Sequence, residues 1–413
     1  MKPFYDFSLK SFSVLAPLTK GFSSKLKLLI NGRQRLFEKL TAFAEGHQDI
    51  AWFHVASLGE YEQAKPVIAK WKEKMPESKV VVTFFSPSGY ENVIKKPQPH
   101  VDFISYIPFD TPENAKRFIN ILHPMVGFFV KYDLWANLIW SAKNKGVPLF
   151  LFSAALRPEQ VYFKSYGGFF RKTLKSFDHI FTQNRTSIDL LTTIGYSSTS
   201  LTGDTRFDNV RALSQSPKKF EEIEKWIGGK PVIVVGSAWQ EDMDLLIPLI
   251  NSHGNYKYII APHDIDQKKI DLWQAGIKRK STRYSQLSPN EESELLFIDN
   301  IGMLSSLYQY AEVAYVGGAF GKGLHNILEP MAYHIPVIFG KLDRISKFPE
   351  AAISQKYGCT FSVENEEELK MVIDKLQNGK AYKKASLAAK QMVEDNLGSA
   401  EKIMAQVMIH LGQ

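Results

Sequence analysis

The chain reads as an α/β protein built from two doubly wound parallel-sheet domains in series, and three observations predict this. At 413 residues it exceeds what one hydrophobic core ordinarily serves. Apolar runs of strand length alternate with segments whose apolar residues recur at helical spacing, and the alternation restarts after a charged break over residues 218–230. A third sign is Val313–Gly340, where an apolar run leads into a loop with Gly317, Gly318, Gly321 and Gly323, then the helix-start pattern Asn326-Ile327-Leu328-Glu329, then a second apolar run.

Composition narrows the class. Hydrophobic residues at 44% and charged residues at 23% are ordinary for a soluble globular chain, and 13% aromatics suit large cores or a surface that meets lipid or sugar. The net charge of +8 (51 minus 43) fits an anionic membrane surface or an anionic substrate. No RNP, zinc-finger or helix-turn-helix signature accompanies it, so no nucleic-acid partner is expected. Cys359 stands alone, which excludes an intramolecular disulfide and a cysteine metal cluster and favours the cytoplasm.

Residues 1–40 differ from the rest. Phe4, Tyr5, Phe7, Leu9, Phe12, Val14, Leu18 and Phe22 are interleaved with Lys2, Lys10, Lys20, Lys25 and Lys27. No apolar run approaches the ~20 residues that span a bilayer, and the lysines interrupt any signal-peptide core. The expectation is a membrane-interfacial segment, with an amphipathic helix docked on its own domain as the plainer alternative.

From Ile50 the first domain, expected over 41–208, unfolds in order. The run 51–57 is a strand, Ser57–Glu60 a turn, and Tyr61–Lys74 a helix with Ala64, Val67, Ile68 and Trp71 on one face. Residues 79–86 form a second strand ended by Pro87-Ser88-Gly89, and further strands are expected at 103–108, 125–130, 148–154 and 179–183. The segment 202–213 reads as the hinge. The second domain, 209–383, resumes with strands at 231–237, 256–263, 294–299 and the two runs of the glycine-loop unit. A last helix over about 384–411, within a segment 384–413, is expected to pack back on the first domain. Open sheets of this kind place ligand sites at the carboxyl ends of their strands, here facing a shared central cleft.

The glycine loop carries neither G-x-G-x-x-G nor G-x-x-x-x-G-K-[ST], which argues against a Rossmann dinucleotide site and a P-loop. What it offers is bare backbone beside a carboxylate. Such a site suits a nucleotide, with amides on phosphate and Glu329 on ribose hydroxyls.

Two such domains with a nucleotide site in the second describe a GT-B glycosyltransferase. The segments WFHVASLGEYEQAKPVI, VVVTFFSPSGYE, YDLWANLI, TGDTRFD, VVGSAWQED, IIAPHD and GGAFGKGLHNILEPMAYHIPVIFG occur in that order over nearly the whole chain. Together they resemble the 3-deoxy-D-manno-octulosonic acid (Kdo) transferases of Gram-negative bacteria. The resemblance implies transfer of Kdo from CMP-Kdo to the lipid A precursor of lipopolysaccharide, with no metal or other cofactor, at the cytoplasmic face of the inner membrane. It implies Glu60 as general base, its place at a helix start favouring the ionised carboxylate. Arg206 stands where the family usually has lysine, as a charge for the leaving phosphate, and Gly236 and Ser237 end a strand where a phosphate could bind. For the nucleotide it points to Pro262, His263, Gly302, Met303, Leu304, Asn326, Ile327, Leu328 and Glu329.

One departure matters: Lys131 replaces a family glutamate thought to stabilise the transition state, so either Asp133 carries that role alone or this branch of the family arranges the site differently. The triplets Asp242-Met243-Asp244 and Asp264-Ile265-Asp266 are read as chance spacings, not as a metal site. Two alternatives remain: another GT-B nucleotide-sugar enzyme (a UDP-sugar transferase or an epimerase), and a catalytically inactive membrane-associated binding protein.

Overall fold

The computed structural model describes residues 1–15, 23–321 and 323–413, with the side chains of Lys25 and Ser346 set aside. Leu18, Lys20 and Phe22 of the amino-terminal segment lie outside the described residues. The chain divides into two compact units, Met1–Asn209 with Leu397–Gln413, and Val210–Asn396.

The first unit holds a seven-stranded sheet: β1 Ile50–Val55, β2 Lys79–Phe84, β3 Phe103–Tyr106, β4 Val126–Val130, β5 Leu149–Ala154, β6 His179–Thr182 and β7 Thr199–Leu201. Every pairing is parallel and the spatial order is β3-β2-β1-β4-β5-β6-β7. Alternate residues feed two cores, as the period of two in a strand requires. Trp52, Val81, Phe129 and Leu151 face the helices Leu36–Ala44, Pro112–Leu122 and Ala136–Asn144. Phe53, Val82, Phe128 and Phe152 face the helix Leu58–Lys74 and the last helix, Ser399–His410.

The second unit repeats the plan with β8 Val232–Ala238, β9 Lys257–Pro262, β10 Ser281–Arg283, β11 Leu295–Phe297, β12 Val313–Val316, β13 Val337–Gly340 and β14 Thr360–Val363, ordered β10-β11-β9-β8-β12-β13-β14. All six pairings are parallel. Three short strands (β7, β10, β14) carry too few apolar residues to show a pattern in the sequence.

Several boundaries differ from the sequence reading. The hinge segment is helical, Thr205–Gln215, and the division between units falls inside that helix. The expected helix over 384–411 is two helices, Gly379–Asp395 and Ser399–His410, parted at Gly398 with φ +85°. Only the second returns to the first unit, where Asp208 accepts the N–H groups of Gly398 and Ala400, each at 2.7 Å. Asp208 thus supplies the start of that helix with the acceptor an N-cap would provide.

The amino-terminal helix Lys2–Leu15 has a docked face and a bare one. Tyr5 donates to Asp110 (2.7 Å) and the Asn137 amide donates to Asp6 (2.8 Å). Phe4, Phe7 and Val14, on the opposite stripe, are 75%, 69% and 66% exposed. Among the described residues no helix is long and apolar enough to cross a membrane.

Candidate functional site

Strand order decides where the chemistry gathers. In the first sheet the order reverses between β1 and β4, and in the second between β8 and β12; such switch points open a crevice at the carboxyl ends of the flanking strands. The loops leaving β1 and β4 carry Glu60 and Lys131–Asp133. Those leaving β8 and β12 carry Ser237–Asp242 and the glycine loop.

At the first switch point the helix begins at Leu58, so Glu60 sits in its first turn, where a turn had been expected. Its Oε2 accepts the Ala56 N–H, folding the carboxylate back over the end of β1. Contrary to the expectation from the helix start alone, its pKa is raised above the usual 4.5. Burial is the largest cause and Asp133 adds to it, while the Ala56 N–H, Lys131 and His54 pull the other way. Desolvation of a half-buried carboxylate outweighs the helix dipole.

Asp133 is anchored. Its Oδ2 lies 3.0 Å from Nε2 of buried His54 and accepts the Trp135 indole N–H at 3.0 Å. His54 Nδ1 lies 3.0 Å from Thr83 Oγ1, which also accepts the Trp52 indole N–H at 2.8 Å. A hydrogen-bonded chain from the sheet interior therefore holds Asp133 beside Glu60. Lys131 has φ +60°, a left-handed backbone that a lysine rarely adopts, at the turn leaving β4. The sequence reading passed over His54 because a histidine within an apolar strand looks like core.

Arg206 carries its charge in a different setting from the one expected. Its guanidinium is held by Asp204 Oδ2 at 2.7 and 2.9 Å, so the cation is paired. Thr205, next to it, donates to the carbonyl of Gln63 at 2.8 Å, which fixes this helix start one turn along from Glu60.

At the second switch point Asp242 is the organiser. It is 1% exposed and accepts the N–H groups of Trp239 (3.0 Å) and Gly318 (2.9 Å) and the Tyr315 hydroxyl (3.0 Å). Burial raises its pKa, against those three donors. Gly318 has φ +93°, and a side chain there would meet the Gly323 carbonyl. The first aspartate of the Asp-x-Asp pair is thus engaged by loop amides, while Asp244 accepts from Gln240 and Asp266 caps the helix Gln267–Gly276.

The candidate nucleotide residues divide by what their side chains do. Gly236 is small because the Tyr308 hydroxyl occupies its side-chain space, 2.0 Å from where a Cβ would stand, with Leu304 also close. Ser237 has φ +54° at the bulge where β8 slips against β9. Gly302 (φ +91°) turns the chain into Met303 and Leu304, and Met303 is buried. Asn326 donates to Glu329 at 3.0 Å and accepts the Leu328 N–H at 3.1 Å. The helix that follows, Leu328–Ala332, has only five residues and Ile327 at its N-cap, so the expected helix start is present, one residue later than the pattern placed it. Ile327 and Leu328 are fully buried, backbone included.

Three rings stand at the ends of β8, β9 and the glycine loop, of which only His263 belongs to the expected set. Trp239 stacks on His263 (centroids 4.2 Å, 22°) and donates its indole N–H to His325 Nε2 at 3.0 Å. Burial, then His263, lowers the His325 pKa to about 4, which keeps that nitrogen an acceptor near neutrality. A cavity of about 240 Å³ adjoins them, lined by Trp239, Gln240, Lys269, Gly318 and Phe320.

Solved structures with a similar fold include a UDP-N-acetylglucosamine 2-epimerase (TM-score 0.61, 14% identity, covering 88% of this chain and 97% of that one) and MurG of Acinetobacter baumannii (TM-score 0.56, 12% identity, covering 87% and 99%). The fold is GT-B. Residues 33–209 match the family model described as 3-deoxy-D-manno-octulosonic-acid transferase. The transferase of that name from Haemophilus influenzae is 25% identical over 392 residues, 90% of each chain, and that from Aquifex aeolicus is 28% identical over 328 residues, 77% of this chain and 83% of the relative. A bifunctional glycosyltransferase/methyltransferase of Fusobacterium nucleatum is 25% identical over 86% of this chain, which spans 56% of that longer protein. These matches make the chain similar to the Kdo transferases over most of its length, and they support a glycosyltransferase enzyme.

Proposed function

We propose that this enzyme transfers Kdo from CMP-Kdo to a hydroxyl of the lipid A precursor at the cytoplasmic face of a bacterial inner membrane, with Glu60 as general base and no metal ion. In the step, Glu60 takes the acceptor proton, the freed oxygen bonds to the anomeric carbon of Kdo, and the bond from that carbon to the CMP phosphate breaks with its electron pair leaving on phosphate. The observation that carries the reading is the gathering of Glu60, Lys131, Asp133 and His54 at one switch point. A carboxylate with a raised pKa is a stronger base than an ordinary one, and a neighbouring cation keeps part of it ionised. In place of the missing glutamate, Lys131 supplies that cation. The second unit is assigned the nucleotide: backbone at Gly236, Ser237, Pro262 and 302–304 for phosphate and base, and Glu329 for ribose. Arg206, paired with Asp204, is assigned to hold its own helix start.

The direct test is mass spectrometry of a tetra-acylated disaccharide incubated with CMP-Kdo, where an added Kdo mass is expected and an unchanged acceptor overturns the reading. Thermal protection by CMP and not by UDP is expected as well. The reverse order of protection would favour a UDP-sugar enzyme.

The pH profile follows with its sign. Glu60 must be ionised to accept a proton, so kcat/KM should rise with pH through a pKa above the ordinary carboxylate value and then level off. Lys131→Ala removes a cation that favours the carboxylate and should move this limb to higher pH. Asp133→Asn removes an anion that disfavours it and should move the limb to lower pH. If neither substitution shifts the limb, another group titrates.

A further inference from the structure

Asp110 is fully buried in the loop after β3, at the amino end of the helix Ala136–Asn144. Its Oδ2 accepts the Asn137 N–H at 2.9 Å and its Oδ1 the Leu138 N–H at 2.8 Å. Both belong to the set of amides that a helix start leaves without a partner of its own. The residue at the N-cap place is Trp135, whose indole can only donate, so the acceptor has to come from elsewhere in the chain. The Asp110 carbonyl adds a further tie, accepting the Asn137 side-chain amide at 2.7 Å.

The same carboxylate takes a third donor, the Tyr5 hydroxyl of the amino-terminal helix, at 2.7 Å on Oδ2. The Tyr5 oxygen accepts in turn from the Ala136 N–H at 3.4 Å. Phe169 and Phe170 wedge the Tyr5 ring, their centroids 5.0 and 6.4 Å away. Burial, the largest influence, pushes the Asp110 carboxyl up to about 7; Asp6 adds to it, and the donors from Tyr5, Asn137 and Leu138 oppose it. A buried carboxylate in that balance depends on every donor it has.

What this anchor holds lies just before the helix. The Trp135 indole N–H is shared between Asp133 Oδ2 at 3.0 Å and His54 Nε2 at 3.1 Å. Phe85 packs on its ring at 4.7 Å. The peptide joining Trp135 to Ala136 is the one whose N–H meets Tyr5. We propose that Asp110 and Tyr5 are positioning residues for the transfer reaction: they fix the start of the helix Ala136–Asn144, that start fixes Trp135, and Trp135 aims the Asp133 carboxylate at Glu60. The docked amino-terminal helix is thereby coupled to the ionisation of the base. This inference rests on the reading of Glu60 as the general base.

The test uses the full-length protein with CMP-Kdo and the tetra-acylated disaccharide, read as rate against pH and as the Trp135 indole N–H signal in NMR of tryptophan-labelled protein. Tyr5→Phe keeps the ring and removes only the hydroxyl. It should lower kcat about fivefold and leave KM for CMP-Kdo unchanged. The groups that act on Glu60 are Asp133, Lys131 and His54, and of these Asp133 alone raises its pKa. Release of Asp133 should therefore move the Glu60 limb to lower pH, the direction expected of Asp133→Asn. The indole signal should move upfield as its hydrogen bond loosens. Asp110→Asn, which turns a donor toward Tyr5, should do the same more strongly, and where it fails to fold Tyr5→Phe carries the test. In the Asp133→Asn background Tyr5→Phe should add no further shift of the limb, and an additive shift would overturn the proposed route. A tie that is merely structural would lower the melting temperature and leave both limb and indole signal in place. If Asp133→Asn moves the limb and Tyr5→Phe does not, the coupling is overturned while Glu60 stands as base. If neither moves it, the reading of Glu60 fails and takes this inference with it.

Discussion

Glu60→Gln is expected to lower kcat for Kdo transfer by about 10²–10⁴-fold, the range general-base catalysis supplies, with little change in KM. Glutamine keeps the size and can still accept the Ala56 N–H that Glu60 now accepts, so the fold and the start of the helix Leu58–Lys74 should be preserved. It cannot take a proton. The pattern separates a base from a capping residue: loss of a cap would lower stability and leave the chemistry intact. Glu60→Asp, which retracts the carboxylate by one methylene, should recover part of the rate. Single-turnover transfer from CMP-Kdo, measured beside the melting temperature, reads both quantities. Near wild-type turnover in Glu60→Gln would remove Glu60 from the mechanism.

The largest expected effect on stability belongs to Asp242→Ala. A buried amide, a half-buried one and the Tyr315 hydroxyl lose their acceptor together, and hydrogen bonds to a buried carboxylate are each worth about 1.5–3 kcal/mol. Relief of the buried charge, visible in its raised pKa, offsets part of this. A net loss of about 3 kcal/mol is expected, or roughly 6–12 °C in the transition of the second unit by calorimetry. Asp242→Asn keeps one acceptor and should fall between the two. The glycine loop beside Asp242 should open in the alanine variant, seen as faster amide exchange at Gly318. A melting temperature within a degree or so of wild type would show that the loop is held by other contacts.

Much of the plan was legible before any coordinates. Buried parallel strands are apolar on both faces, so β1, β2, β4, β5, β8 and β9 announce themselves as unbroken apolar runs. Glu60 and Asp133 were reachable through the family resemblance, because each sits in a segment that matches as a unit. His54, Trp239 and His325 were not singled out. A histidine inside WFHVAS and a tryptophan after GSA look like core and turn, and only pairing across the sheet shows what they touch. Asp242 was read as one half of a chance triplet, since nothing local marks it as the acceptor for a loop that lies some seventy-five residues downstream.

The sequence by itself determined the class, the two-sheet plan and the family resemblance, because these rest on periodicity and on motif order, both of which are local properties of the chain. The tertiary structure decided which loops became a site. Strand order, absent from any one segment, places the ends of β1 and β4 together and the ends of β8 and β12 together. It also decided the electrostatics: a carboxylate expected to ionise easily at a helix start is instead desolvated beside Asp133, and burial in the folded unit outweighs the dipole of the helix it begins.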